Sequence, residues 1–376
     1  MSEAIPEPDE DRVVVLARGL AFSGWTSVQI ETSLTDCAST FKLGIAGVYA
    51  THAGQIVEGD AVQILIGQDE VITGVAERVR RGGDATGMTV QISGRSRTRN
   101  VVDCSAPIIS LQGQKLSKLA AKLLENYGIP VVDEAGVGDQ VVRSFHAEEG
   151  ETLHDALDRL SQDLHYLITD DGKGRLVFTL AGKAGSAADA IVRGAGPFLQ
   201  GEVDRTVDER FSIYTCKGQS FTDLEVSADV QGGAVDVGIS EFRELIIKPE
   251  RGVTPKGAAA RAAWEAATRA AKALTYTCVL TGWRQSTGAL WAKNLLAPVR
   301  DAYCALLDVE LLIVAVTFTL DEQGRKVGFT MQPREAFTPP PSKGVDVTDY
   351  GTLALESTDP EAESDGIDAD GDTEAE

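Results

Sequence analysis

The sequence predicts a multidomain α+β protein whose strands are mostly antiparallel. Period-two alternation marks strands near both ends: Val62, Ile64 and Ile66 early, then Leu312, Val314, Val316, Phe318 and Leu320 late. Between them, apolar residues recur at helical spacing. At 376 residues the chain exceeds what one hydrophobic core usually organises.

In chain order, strands are expected at Val13–Leu16, Trp25–Glu31, Thr40–Ile45, Val62–Ile66, Val71–Arg80 and Met88–Ile92, separated by turns such as Arg81-Gly82-Gly83-Asp84. Six strands before Arg95, with no long helix between them, indicate a small barrel or sandwich. Leu116, Leu119, Ala120, Leu123, Leu124 and Tyr127 then form one helical face, which Gly128 and Pro130 end. A second helix starts at Thr152, a capping residue, with Leu153, Ala156, Leu157, Leu160 and Leu164 as its stripe. A hairpin follows, His165–Thr169 and Arg175–Leu180, so 105–180 reads as a separate α+β unit. Residues 181–200 read as a connection. Strands resume at Ser212–Gly218 and Phe242–Ile247. Thr254-Pro255 opens an Ala-rich helix to about Ala273, and strands at Tyr276–Gly282 and Leu290–Val299 precede the closing hairpin.

Charge is unevenly placed. The formal net charge is -22, yet residues 1–11 hold five acids and no base, and residues 346–376 hold twelve acids and no base. The body between is nearly balanced, which excludes a general nucleic-acid binder. Segment 338–376, opened by a proline triplet, is expected to be disordered. No apolar run approaches a membrane span, and the acidic start reads as neither signal nor transit peptide. Cys37, Cys104, Cys216, Cys278 and Cys304 never pair as CxxC, and buried reduced thiols are expected.

Chemistry is sparse. No HExxH, GxSxG, Walker A or dinucleotide fingerprint occurs. His154 and His165 are too far apart, without thiols, for a zinc site. His146 with Glu148 and Glu149 reads as a solvated loop before a helix. The densest basic run, Arg95, Arg97 and Arg99 with Arg80 and Arg81 nearby, reads as a strand end whose arginines pair with Asp84 and Asp103. Asp170-Asp171 reads as turn chemistry. Trp25, Trp264, Trp283 and Trp291 read as packing residues, with Trp283 and Trp291 on one hairpin against helix 255–273. No catalytic, cofactor-binding or metal-ligating residue is assigned, and no cofactor is expected.

Several stretches together resemble the Mu-type phage baseplate hub proteins of contractile tails, the late-control protein D and tail protein P family. They are Gly24-Trp25-Thr26, Gly59-Asp60-Ala61-Val62, Ile92-Ser93-Gly94-Arg95-Ser96, Glu149-Gly150-Glu151-Thr152, Gly282-Trp283, Gly288-Ala289-Leu290-Trp291 and Pro333-Arg334-Glu335-Ala336-Phe337. They occur in the family's order over about 12–337. The resemblance implies two small antiparallel β-barrels related by an internal repeat, with inserted α+β modules. Residues 12–105 would form one barrel, and 201–245 with 305–337 the other. The α+β modules would be 106–200 and 246–304, with 1–11 and 338–376 as acidic additions. It further implies a non-enzymatic homotrimer in the virion baseplate, assembled in the host cytoplasm, that adapts a sixfold tail tube to a threefold central spike. Partners would be the spike, the tube and other baseplate proteins, with no membrane span and no sequence-specific nucleic-acid binding. The alternatives are a tail-associated peptidoglycan hydrolase, or the equivalent hub of a tailocin or type VI secretion spike.

Overall fold

The computed structural model describes residues 10–47, 50, 53–85, 87–221, 227–249 and 254–340. Most of both acidic ends, 1–9 and 341–376, lies outside the described residues. The first unit is built mainly of strands: β1 (Val13–Ala17), β2 (Leu20–Phe22), β3 (Ser27–Ser33), β4 (Thr40–Ala46), β5 (Ala61–Ile66), β6 (Asp69–Gly83) and β7 (Met88–Ser96). Alternation puts Val28 and Ile30, Phe41 and Leu43, and Val90 and Ile92 into the core while the residues between face water. Gly94 is obligatory where strands crowd. A Cβ there would lie 1.9 Å from the Val75 carbonyl oxygen and 2.8 Å from the Phe41 ring.

A mixed unit follows: α1 (Arg99–Asp103), β8 (Ser110–Lys115), α2 (Leu116–Leu124), β9 (Val131–Asp133), β10 (Val141–His146), α3 (Leu153–Leu164), β11 (Leu167–Asp170) and β12 (Leu176–Thr179). The helices α2 and α3 lie where the sequence predicts them, although α2 ends at Leu124 and a 3-10 turn, Glu125–Tyr127, carries the chain to Gly128. Thr152 accepts the Asp155 amide at the start of α3, and Gly128 takes the left-handed conformation beyond α2. Their leucine stripes meet in one core with Tyr166 and Phe178. Strands β8 and β10 pair antiparallel, while β9 lies parallel to β12.

The chain re-enters the large sheet through β13 (Ile191–Val192), inside the stretch 181–200 expected to be a connection, and β14 (Phe198–Arg205), which starts at the end of that stretch. It then leaves to build β15 (Ile213–Phe221), β16 (Ser227–Val235), β17 (Glu244–Ile247) and α4 (Pro255–Lys272). Thr254 caps α4 through the Gly257 amide. Ala258, Ala262 and Ala266, four residues apart, press the helix onto Tyr214, Cys216 and Val230. The approach is so close that a Cβ on Gly232 would sit 2.2 Å from the Ala259 nitrogen, which is why this helix is alanine-rich. Finally β18 (Leu274–Thr281), β19 (Leu296–Asp301), β20 (Leu306–Asp321) and β21 (Gly324–Gln332) rejoin the large sheet.

Module boundaries therefore differ from expectation. Strands β15 and β16, expected in the second barrel, form their own sheet with β17 under α4. Residues 274–301, expected in an α+β module, are strands of the large sheet. The reason is pairing: β18 is hydrogen-bonded between β14 and β21, while the small strands pair only with one another.

The large sheet has 13 strands, and its main path runs β14-β18-β21-β20-β3-β4-β7-β6-β5-β1-β2, with β13 and β19 joining beside β20. Every neighbouring pair on that path is antiparallel. The two ends of the chain are therefore one sheet, joined where Phe318 of β20 pairs with Ile30 of β3. One apolar core runs through this join, from Val13 to Met331. The path does not return on itself among the described residues.

Candidate functional site

The most highly constrained polar group lies where three units meet. Asp170, at the end of β11, is 1% exposed. Its carboxylate accepts the Ser39 amide and hydroxyl, both at 2.8 Å, and the Ser96 hydroxyl at 2.6 Å. Lys293, just before β19, donates to it at 2.7 Å. The same ammonium donates to the Ser33 carbonyl at 2.9 Å and the Thr169 hydroxyl at 2.8 Å, using all three of its protons. The first unit, the mixed unit and the C-terminal strands thus converge on one ion pair. Burial opposes ionisation of Asp170, but the Lys293 charge and the hydrogen bonds from Lys293, Ser96 and Ser39 outweigh it and hold the carboxyl below the ordinary range. Asp170 is thus not turn chemistry; Asp171 is, accepting the Lys173 and Arg175 amides. The signal was the two-residue step from buried Ile168 to Asp170.

Two further clamps act alongside. Arg284 donates to Asp11, Asp69 and the Glu10 and Ile66 carbonyls, so the described end of the acidic extension docks on the C-terminal strands. Asp301, fully buried, accepts Arg193 at 2.6 Å, Tyr276 at 2.9 Å and the Cys304 amide at 3.1 Å. Burial pushes its carboxyl up, yet these donors pull it down to about 2. Both carboxyls are depressed in the fold. Their stabilisation is therefore fully present above the ordinary carboxylate range and is lost as pH falls through the folded values. Urea melts should show stability dropping below about pH 4, with Asp301 alone contributing on the order of 2 kcal/mol. A flat profile down to pH 2 would contradict this assignment.

The other sequence candidates are structural. Arg95 pairs with Glu77 and Asp103, and Arg99 with Glu77, so the partner missed from sequence was Glu77 on the neighbouring strand. His154 and His165 take no part in a metal-type cluster among the described residues, where none is found. His146, Glu148 and Glu149 are exposed around a loop in which Arg159 pairs with Glu151. Cys37, Cys216, Cys278 and Cys304 are buried free thiols, while Cys104 is half-buried. Trp283 and Trp291 do face each other across a turn, with the Trp291 amide bonding the Trp283 carbonyl at 3.2 Å. They belong to a different core from Ala258, Ala262 and Ala266 of the Ala-rich helix. Trp283 stacks edge-on to Phe318 and Trp291 to Phe329, both inside the large sheet's core. Trp264, on α4, donates to the Thr338 carbonyl at 2.8 Å.

A sequence comparison finds the chain 32% identical over 341 residues to the baseplate hub protein gp44 of Escherichia phage Mu, covering 87% of this chain and 89% of that one. The chain belongs to the Mu baseplate hub protein family. Three family models match within it. Residues 12–96 match the Mu phage baseplate assembly protein GpP-like N-terminal domain, and 98–180 the second domain of gp44-like hub proteins. Residues 254–340 match the fourth domain of GpP. Among solved structures, the 43 kDa tail protein of prophage MuSo2 from Shewanella oneidensis superposes with a TM-score of 0.75 at 30% identity, covering 88% of this hub chain and all 100% of that chain. The tail protein of Neisseria meningitidis MC58 shares the fold, with a TM-score of 0.73 at 20% identity over 88% of this chain and 99% of its own. The mixed, largely antiparallel architecture of this baseplate hub is thus that of phage tail proteins.

Proposed function

We propose that the chain is a non-enzymatic hub at the centre of a contractile-tail baseplate in the virion. In this reading it assembles as a homotrimer in the host cytoplasm. The two strand-rich halves of each subunit act as repeated barrel modules, making six around the axis to meet a sixfold tube. The threefold symmetry below meets a central spike, and other baseplate proteins bind outside. The observation that carries the reading is 32% identity to the Mu hub over most of both chains. The single sheet through β3 and β20 and the Asp170–Lys293 junction support it, because an adaptor between tube and spike needs its modules fixed to one another.

The expected result is a trimer by light scattering of the purified chain, alone or with its spike, and a threefold ring in negative stain. A stable monomer under both conditions would remove the trimer. Zymograms on cell-wall material should show no clearing; a cleared band would favour the hydrolase reading.

A further inference from the structure

A groove of about 400 Å³ lies on the solvent face of the large sheet, across β6, β7, β4, β3 and β20. Lys42, Arg78 and Arg80 line it, with one carboxylate, Asp321, that Lys326 already holds at 3.1 Å. A β-bulge aims the two arginines. Ala76, buried in the core, pairs with Gly94 of β7, and Arg78 pairs with the adjacent Ser93, so Glu77 is the extra residue. Strict alternation from Ala76 would send Arg78 and Arg80 into the core. The bulge turns both outward and leaves Val79 packed against the core. Register then sets the spacing. Lys42 and Arg78 flank Ser93 from either side, about 10 Å apart across the sheet, and Arg80 lies opposite Gln91, about 7 Å along the strand from Arg78. Among the described residues none of the three cations makes an ion pair, whereas Arg81, Arg95, Arg99, Arg193 and Arg284 all do. Like charges held this close repel, and anions placed among them relieve that cost.

We infer, on the hub reading in which other proteins bind the chain, that this groove seats an extended acidic segment of a partner protein, one with carboxylates on alternate residues. Residues i and i+2 of an extended strand lie about 7 Å apart on one face, which is the spacing from Arg78 to Arg80. A strand laid along β6 therefore offers one carboxylate to each guanidinium. Gln91 and Ser93, on the strand between Lys42 and the arginines, add neutral donors. Nucleic acid fits less well. The positive strip is bounded by acids on both sides, Asp321 on β20 and Glu77 beside Arg78, and a longer phosphate track would have to cross them. An acidic segment of a few residues stays between them.

Fluorescence anisotropy of the full chain with a labelled peptide alternating Glu and Thr tests the charge match. Saturable binding is expected at low salt, weakened about tenfold in R78Q/R80Q by the loss of two exposed ion pairs, and weakened again by added salt. Both substitutions are on exposed side chains and should leave folding unchanged. Benzoylphenylalanine in place of Gln91 should photocrosslink to the peptide, and in place of Lys118, exposed on α2, it should not. Absence of saturable binding, equal affinity in R78Q/R80Q, or equal crosslinking from the two positions overturns the proposal. A labelled duplex DNA that binds the parent more tightly than the peptide does, and loses that binding in R78Q/R80Q, also overturns it and makes the groove a nucleic-acid surface. Light scattering reads the trimer and the peptide reads the groove, so the hub reading and this one fail separately.

Discussion

Asp170→Ala is expected to cost about 3–5 kcal/mol of folding stability, the range for breaking a buried ion pair by removing one partner. The loss is large because Lys293 would keep its charge with only the Ser33 carbonyl and Thr169 hydroxyl to receive it. Three donors aimed at the missing carboxylate, from Ser39 and Ser96, would also be orphaned. Lys293→Ala should cost a similar amount for the converse reason. The double variant Asp170→Ala/Lys293→Ala should recover part of it, because no unpaired charge is left buried, while the Ser39 and Ser96 donors stay without their acceptor. Denaturant melts of the four proteins complete the cycle. Single-variant losses below about 1 kcal/mol would place the pair in the class of solvated ion pairs and take away its role as a lock between modules.

Trp283→Ala should cost about 3–5 kcal/mol as well, here through lost packing. The indole is fully buried, edge-on to Phe318 at 6.1 Å, and its Nε1 donates to the Lys326 carbonyl at 2.9 Å and to the Thr319 carbonyl at 3.2 Å. Trp283→Phe keeps much of the apolar contact and loses the donor, so it should cost less. A Trp283→Ala protein with unchanged stability but lost binding to muropeptides would reverse the structural assignment and revive a cell-wall activity.

The elements most legible in the sequence were those whose rules are local. Thr152 and Thr254 mark their helix starts by capping, and Gly128 marks an end by its left-handed backbone. The short strands β8, β9 and β10 carry no strong alternation, and each pairs with a strand remote in sequence. The same holds for the module boundaries. Nothing local in Tyr276–Thr281 says that it inserts between β14 and β21, whereas Ser212–Gly218 looks equally strand-like and goes to a different sheet. Asp170 was masked by sitting beside a true turn aspartate. Lys293 was masked by being a lysine between Trp291 and Leu295, two buried residues two positions away on either side. Each partner makes sense only in the presence of the other, and they are 123 residues apart.

The β3–β20 pairing also sets an order of events during synthesis. Ile30 is made near the start of the chain and its partner Phe318 near the end. At ~5–20 residues per second, the N-terminal strands wait about 15–60 s for the strand that completes them. Until then β3 is an outer strand, with backbone donors and acceptors unpaired along one side. A nascent subunit therefore exposes, for most of its translation, the very edge that the finished fold conceals. Neighbouring nascent chains on one message are the closest competitors for it, and slowing elongation late in the message would lengthen the interval in which they can pair.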